Sequence, residues 1–599
     1  MKKTAYFKRL GTCMMAAALV LGGCAAPSGR QTEGTAGAAT TAEAWVTAAA
    51  AETTAAAAWA APAEETAAAA AAPGMTAPAA GAPAPGMAAP MAEAAAEKEY
   101  QAEDGAFGRT DTAGSRANGG SMARKYQDVY RPEPSSGEEY RYISENGYKN
   151  VMEEPLSTFS VDVDTAAYSN VRRMLRSGIP ASAVPADAVR IEEMINYFDY
   201  DYPEPEGKDP FSVTTEYGEC PWNPESRLLM IGLKAREIDF SRRPAANFVF
   251  LLDVSGSMYS DDKLPLVQKS FAMLAENLNK SDRVSIVTYA GYESVVLDGV
   301  PGNRTGTIVD ALDSLEASGS TAGEAGIRRA YDLARKHFIP GGINRVILAT
   351  DGDLNVGISS EGELVRLIKE QKKSGVHLSV LGVGTGNLKD NKMEALADSG
   401  DGNYSYIDSI FEAKKVLVDE MGGTLVTVAK DVKIQVEFNP AQVSGYRLVG
   451  YENRLLNKED FHNDKVDAGE IGSGHTVTAL YEILPAEGGS RPVELKYQNP
   501  GTPRASSELL TVSLRYKAPN GDTSRLLAYP VESDSFRAEL SGNLRFAAAV
   551  AEFGMVLRGS ENRGSATMDS VMELAESCVR ADSDDYRKEF LELVELCRD

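Results

Sequence analysis

The sequence predicts an α/β protein: a doubly wound parallel sheet flanked by antiparallel β structure, with a helical segment at the C-terminal end. Three observations predict it. Between 247 and 421, short apolar runs alternate with amphipathic helical stretches, the pattern of βαβ units. From 425 to 531 the periodicity shortens to two residues and is broken by turns, as in antiparallel strands. Beyond 536 the pattern is helical again.

The central block opens on 247–252, a largely apolar run suited to a strand buried on both faces. Pro265 then starts a helix that places Leu264, Val267, Phe271, Leu274 and Leu278 on one side. Strands follow at 284–289, 345–350 and 377–382, and helices at 307–315, 323–337, 361–374, 392–397 and 411–421. Upstream, a strand at 157–163 precedes helices at 165–177 and 187–197. Strands at 211–216 and 227–233 flank the turn-rich Cys220-Pro221-Trp222-Asn223-Pro224. Downstream, strands are expected at 425–438, 446–451, 476–484, 508–516 and 526–531, then helices at 544–558, 568–579 and 586–596. Strands thus lie on both sides of the α/β block. We expect 211–235 to pair with 425–531 in one sandwich into which the block is inserted; the rival is two independent domains in series. The resulting divisions are 1–23, 24–125, 126–243, 244–422, 423–535 and 536–599.

A chain of 599 residues exceeds what one hydrophobic core serves. The net charge of −25, with no basic stripe, argues against nucleic acid as a partner. The five cysteines form no C-x-x-C pair, which argues against a zinc ribbon or thioredoxin-like motif. Cys578 and Cys597 fall on helices expected to be antiparallel, on the order of 15 Å apart along the axis. A disulfide needs Cα atoms within about 7 Å, so both are expected to be free and buried.

The first residues have the form of an export signal. Lys2, Lys3, Lys8 and Arg9 precede a short apolar stretch over 14–21, too short for the roughly 20 residues that span a bilayer. It ends in Leu21-Gly22-Gly23-Cys24, which resembles a lipobox. Residues 1–23 are therefore expected to be a lipoprotein signal peptide, and Cys24 the lipidated residue. Ala25 follows, so the aspartate that retains some lipoproteins at the inner membrane is absent. From there to about 125 the chain is rich in alanine, proline, glycine, threonine and glutamate, a composition that buries too little apolar surface to order. We read it as a tether with an end-to-end distance of roughly 50–60 Å. The expected location is the cell envelope: the outer membrane or the outer face of the cytoplasmic membrane.

In doubly wound sheets, ligands sit at the carboxyl ends of strands near a switch in strand order. At the end of the first central strand stands Asp253-Val254-Ser255-Gly256-Ser257, a D-x-S-x-S loop. Gly319-Ser320-Thr321 precedes a later helix, and Thr350-Asp351-Gly352 ends another strand. On these residues, over about 244–420, the chain resembles the von Willebrand factor type A family. The resemblance implies a metal-ion-dependent adhesion site built from Asp253, Ser255, Ser257, Thr321 and Asp351. In it Ser255 and Ser257 would bind directly, and Asp253, Thr321 and Asp351 directly or through water. All five are oxygen donors and three are neutral hydroxyls, a set that suits Mg²⁺ or Mn²⁺. With only two carboxylates the ion stays electrophilic, and an open position could accept a carboxylate from a partner protein. The stretches 157–165, 190–198 and 337–346 also look like a bacterial lipoprotein family that joins this domain to flanking regions, a likeness extending from about 140 to the end.

Other signals are set aside. Asp162 and Asp164 precede a helix and read as its caps. The 1, 3, 5 spacing of Asp351, Asp353 and Asn355 lacks the glycine and the glutamate of an EF-hand, although Asp353 could support the metal site. Gly382-Val383-Gly384-Thr385-Gly386 reads as a tight turn rather than a dinucleotide loop. The four histidines accompany no nucleophile signature. The expected function is metal-dependent binding of a protein ligand rather than catalysis, with the N-terminal lipid in the membrane. The alternatives are a non-enzymatic assembly or regulatory factor for an envelope complex and, more remotely, a metal-dependent hydrolase.

Overall fold

The computed structural model describes residues 137–239, 243–321, 323–352, 361–486, 506–579 and 585–598. The expected signal peptide, Cys24, the tether, Asp353 and Asn355 lie outside the described residues.

The N-terminal part contributes β1 (Lys149–Asn150), β2 (Leu156–Ser160), α1 (Ala166–Arg176), α2 (Ile191–Asn196), β3 (Phe211–Glu219) and β4 (Arg227–Ala235). The central block follows: β5 (Ala246–Asp253), α3 (Leu264–Glu276), β6 (Arg283–Tyr289), β7 (Glu293–Pro301), α4 (Thr305–Asp313), α5 (Gly323–Lys336), β8 (Ile343–Thr350), α6 (Glu361–Lys372), β9 (His377–Val383), α7 (Asp390–Ser399) and β10 (Tyr404–Ile407). The block's sheet runs β10-β9-β8-β5-β6-β7, parallel except for β7, which lies antiparallel to β6 at the edge. β5 sits between β6 and β8 and is buried along its whole length. Phe248, Phe250 and Leu252 pack against α3, where the Phe250 and Phe271 rings lie 4.5 Å apart. Val249 and Leu251 face the opposite layer with Tyr331 and Leu364. The period-2 alternation of a strand covered on both sides thus explains the unbroken apolar run.

Two strands of this sheet escaped the sequence reading. β7 is a half-exposed edge strand, and β10 is only four residues long. The single helix expected at 411–421 is also divided. α8 (Ile410–Lys414) gives way to a π turn over Lys415–Asp419 and then to α9 (Met421–Leu425). Within the π turn the buried Lys415 ammonium reaches Glu420 and lies 4.5 Å from the centre of the Tyr197 ring.

The chain then continues as β11 (Thr427–Phe438), β12 (Val443–Val449), β13 (Gly469–Gly472), β14 (Thr476–Pro485), β15 (Glu508–Lys517), β16 (Ser524–Glu532) and β17 (Phe536–Arg537). One sheet has the order β1-β12-β14-β4-β3-β17; the other runs β13-β11-β15-β16, with β2 also on β11. The expected pairing across the block is present: β4 lies antiparallel to β14, from Lys234 opposite Thr476 to Arg227 opposite Ile483. Two independent domains in series would not share a sheet in this way. Leu229, Ile231 and Leu233 meet Ile434, Val436 and Leu514 of the facing sheet. Leu228 and Met230 point the other way, into a helical layer made by α1, α2 and the C-terminal α10 (Gly542–Arg558), α11 (Met568–Glu576) and α12 (Asp585–Leu596).

Arginines join the central block to this frame. Arg454 contacts Asp162 (2.9 Å), Asp164 (3.2 Å), Glu394 (3.5 Å) and Asp398 (2.7 Å). Arg190 pairs with Glu193 and Asp390, and Arg172 with Asp408 (2.6 Å) and Glu412 (2.7 Å). This corrects the reading of Asp162 and Asp164 as caps. The N-cap of α1 is Thr165, which makes no side-chain cap bond, while Asp164 accepts from the Tyr404 backbone N–H at 2.8 Å. Cys220, Cys578 and Cys597 are free thiols; Cys578 and Cys597 are half-buried, less covered than expected.

Candidate metal centre

The parallel strands end where the order reverses about β5, since β6 continues to one side and β8 to the other. Such a switch leaves a crevice beyond the strand ends. Asp253, the last residue of β5, is fully buried there. Its Oδ1 accepts from the Ser255 backbone N–H (2.9 Å) and its Oδ2 from the Thr350 hydroxyl (3.1 Å). Among the described residues it forms no ion pair with a lysine or arginine. Burial pushes its carboxyl up to about 6, and the nearby Asp351 adds to the rise.

The Ser255 and Ser257 hydroxyl oxygens stand 3.0 Å apart, Ser255 buried and Ser257 exposed. The loop carrying Thr321 is stitched to the D-x-S-x-S loop by two bonds: Ser318 N–H to the Val254 carbonyl (2.7 Å) and Gly256 N–H to the Gly319 carbonyl (3.0 Å). Thr321 itself is buried. Asp351 follows β8, next to β5, and is also fully buried. The structure thus places the five residues on three adjoining loops at one end of the sheet. Two donors bound to one ion at about 2.0–2.1 Å in octahedral geometry lie about 3 Å apart, so the serine pair has the spacing of one octahedral edge. Among the described residues no group of three or more His, Cys, Asp or Glu could hold a metal ion; any ion here depends on the hydroxyls. The donor set fits a hard divalent cation.

Two residues that the sequence did not reveal complete the geometry. The Lys263 ammonium donates to Asp351 Oδ2 (3.0 Å) and to Asn387 Oδ1 (3.1 Å), and Asn387 Nδ2 donates to the same Asp351 oxygen (3.0 Å). Burial alone would raise the Asp351 carboxyl; Lys263, Asn387 and Ser257 outweigh it and hold it below its ordinary range. The lysine's stem runs beneath Gly384, whose φ is +76° and where a Cβ would lie 2.2 Å from Lys263 Cε. The glycine-rich stretch is therefore a tight turn, as expected, and it makes room for this side chain. A signal existed: Lys263 is the N-cap of α3, a place where the helix dipole disfavours a cation.

Comparison with known proteins agrees with this fold. The family model for the von Willebrand factor type A domain matches residues 247–420, a von Willebrand factor model matches 134–230, and a model for the C-terminal region of the uncharacterised protein YfbK matches 423–599. The fold thus defines a protein built around a von Willebrand factor type A domain, a class that generally mediates protein interactions. Escherichia coli (strain K12) YfbK, itself uncharacterised, is 44% identical over 468 residues, covering 76% of this chain and 80% of that protein. The chain belongs to the YfbK family. An uncharacterised Synechocystis protein is 28% identical over 187 residues, 31% of this chain and 43% of its own length. A solved von Willebrand factor type A protein from Catenulispora acidiphila is 15% identical with a TM-score of 0.38, covering 66% of this chain and 91% of that one. Among the described residues no helix is long and apolar enough to cross a membrane.

Proposed function

We propose that this chain is a lipid-anchored envelope protein that binds a protein ligand through Mg²⁺ or Mn²⁺ held by Asp253, Ser255, Ser257, Thr321 and Asp351. The observation that carries the reading is Asp253: a fully buried carboxylate at the strand switch, met by Ser255 and the Thr350 hydroxyl and by no cationic side chain among the described residues. A buried charge left without a counter-charge is unfavourable, and a divalent cation among the neighbouring hydroxyls would supply one. When bound, that ion would act as an electrophilic anchor for a carboxylate. The chain's own residues do the rest. The buried donors fix the site's shape, and exposed Ser257 leaves it open to a ligand. Tyr259 and Tyr292, 82% and 77% exposed on the adjoining loops, offer aromatic contact area of the kind that dominates binding hot spots. The Cys24 motif supports the envelope location.

The test is capture of envelope proteins by the immobilised full chain in Mg²⁺, in chelator, and with Asp253→Ala. The reading expects capture that needs both the ion and Asp253. Capture that persists unchanged in chelator would overturn it.

A further inference from the structure

We propose that Lys263 is a built-in counter-ion that makes cation binding and acidic-ligand binding depend on each other. This rests on the metal-site reading above and concerns a residue outside the five donors. Lys263 is buried, 3.0 Å from Asp351 and 3.1 Å from Asn387, and is held beneath the 384–387 turn. Its place is unusual for a lysine, since the helix N-terminus behind it repels positive charge.

The consequence follows from charge. Asp253, Asp351 and Lys263 together carry one net negative charge. A divalent cation turns that into one net positive charge, which a single carboxylate neutralises. Without the lysine, the two aspartates offset the ion's formal charge, and the still electrophilic ion would draw an anionic ligand less strongly. Lys263 therefore weakens the hold on the ion alone and strengthens the hold on an ion together with one carboxylate. The ligand class is an acidic side chain or a chain-terminal carboxylate. Asn387 keeps the device in register by accepting from the ammonium and donating to Asp351 at once.

The experiment titrates the full chain with Mn²⁺, followed by electron paramagnetic resonance, in acetate and in chloride at matched ionic strength. The chains are wild type, Lys263→Met, Lys263→Gln and Asp253→Ala; circular dichroism checks that each is folded. In wild type, acetate should tighten Mn²⁺ binding severalfold. In both Lys263 variants, Mn²⁺ should bind about tenfold more tightly in chloride, and the acetate effect should shrink severalfold. Lys263 variants that bind Mn²⁺ no more tightly than wild type and keep the acetate effect would overturn the lysine's role while leaving the metal site standing. Binding by none of the chains would overturn the metal-site reading and this inference with it. Mn²⁺ binding retained in Asp253→Ala would place the ion elsewhere and contradict both.

Discussion

Two clusters of buried charge in this chain are balanced differently. In the seam between the central block and the frame, Asp162, Asp164, Glu193, Asp390, Glu394 and Asp398 all contact Arg454 or Arg190. In the crevice beyond β5, Asp351 has Lys263, whereas Asp253 is met among the described residues by the Ser255 backbone N–H and by hydroxyls and by no cationic side chain. The six carboxylates of the seam share two permanent cations, Arg190 and Arg454, and these contacts join the central block to the frame. Asp253 meets no lysine or arginine among the described residues, as the proposed metal site requires. Burial and charge alone therefore do not mark a functional site; the proposed one adds an exposed hydroxyl, Ser257, beside the buried carboxylate.

Substitutions at these clusters should have opposite signs. Arg454→Met strips the seam of its shared cation and should destabilise the fold by about 3–5 kcal/mol, the usual consequence of breaking a buried ion pair from one side. Chemical denaturation measures it, and a loss below about 1 kcal/mol would mean the seam holds little. Glu552 on α10 supplies a control: a buried carboxylate that accepts from the Ser570 hydroxyl (2.6 Å), with Oε1 unmatched among the described residues. Burial pushes it up to about 7 from an ordinary 4.5. Because the folded value is raised, its contribution is fully present below about pH 4.5 and is lost as pH rises through 7. Glu552→Gln should then stabilise the protein by up to about 3 kcal/mol at pH 8 and by little below pH 4.5. That gain should be the same with and without Mg²⁺; a gain independent of pH would contradict it.

Asp253→Asn falls between the two. It removes an unbalanced buried charge while keeping an acceptor for the Ser255 N–H. In chelator it should stabilise by roughly 1–2 kcal/mol, and in Mg²⁺ it should be less stable than wild type. A variant destabilised equally in both would show that Asp253 is a purely structural residue. The smallest effect is expected at the exposed Lys149–Glu154 pair (2.7 Å), where Lys149→Ala should change stability by under about 1 kcal/mol and less in high salt.

The parts of this comparison were unequally legible in sequence. β5 and the D-x-S-x-S loop are contiguous, and a strand covered on both faces writes itself as an apolar run. β7 and β10 were missed because a half-exposed edge strand and a four-residue strand leave little periodicity. Lys263 lies 88 positions from Asp351, and Arg454 lies 292 from Asp162. Such pairs exist only once the chain has folded back on itself, so Asp162 and Asp164 could be judged only by the helix that follows them. The single helix expected at 411–421 failed at a π turn whose Lys415 pairs locally with Glu420 but lies against the Tyr197 ring, a neighbour far away in sequence.

The most direct measurement is thermal unfolding of the full chain in chelator, in Mg²⁺ and in Mn²⁺, for wild type and Asp253→Ala. An ion at a hundred times its dissociation constant stabilises the folded state by about 2.7 kcal/mol, a rise of several degrees for a domain of this size. The account predicts that rise in wild type and none in the variant. No rise in wild type, or an equal rise in both chains, would contradict it.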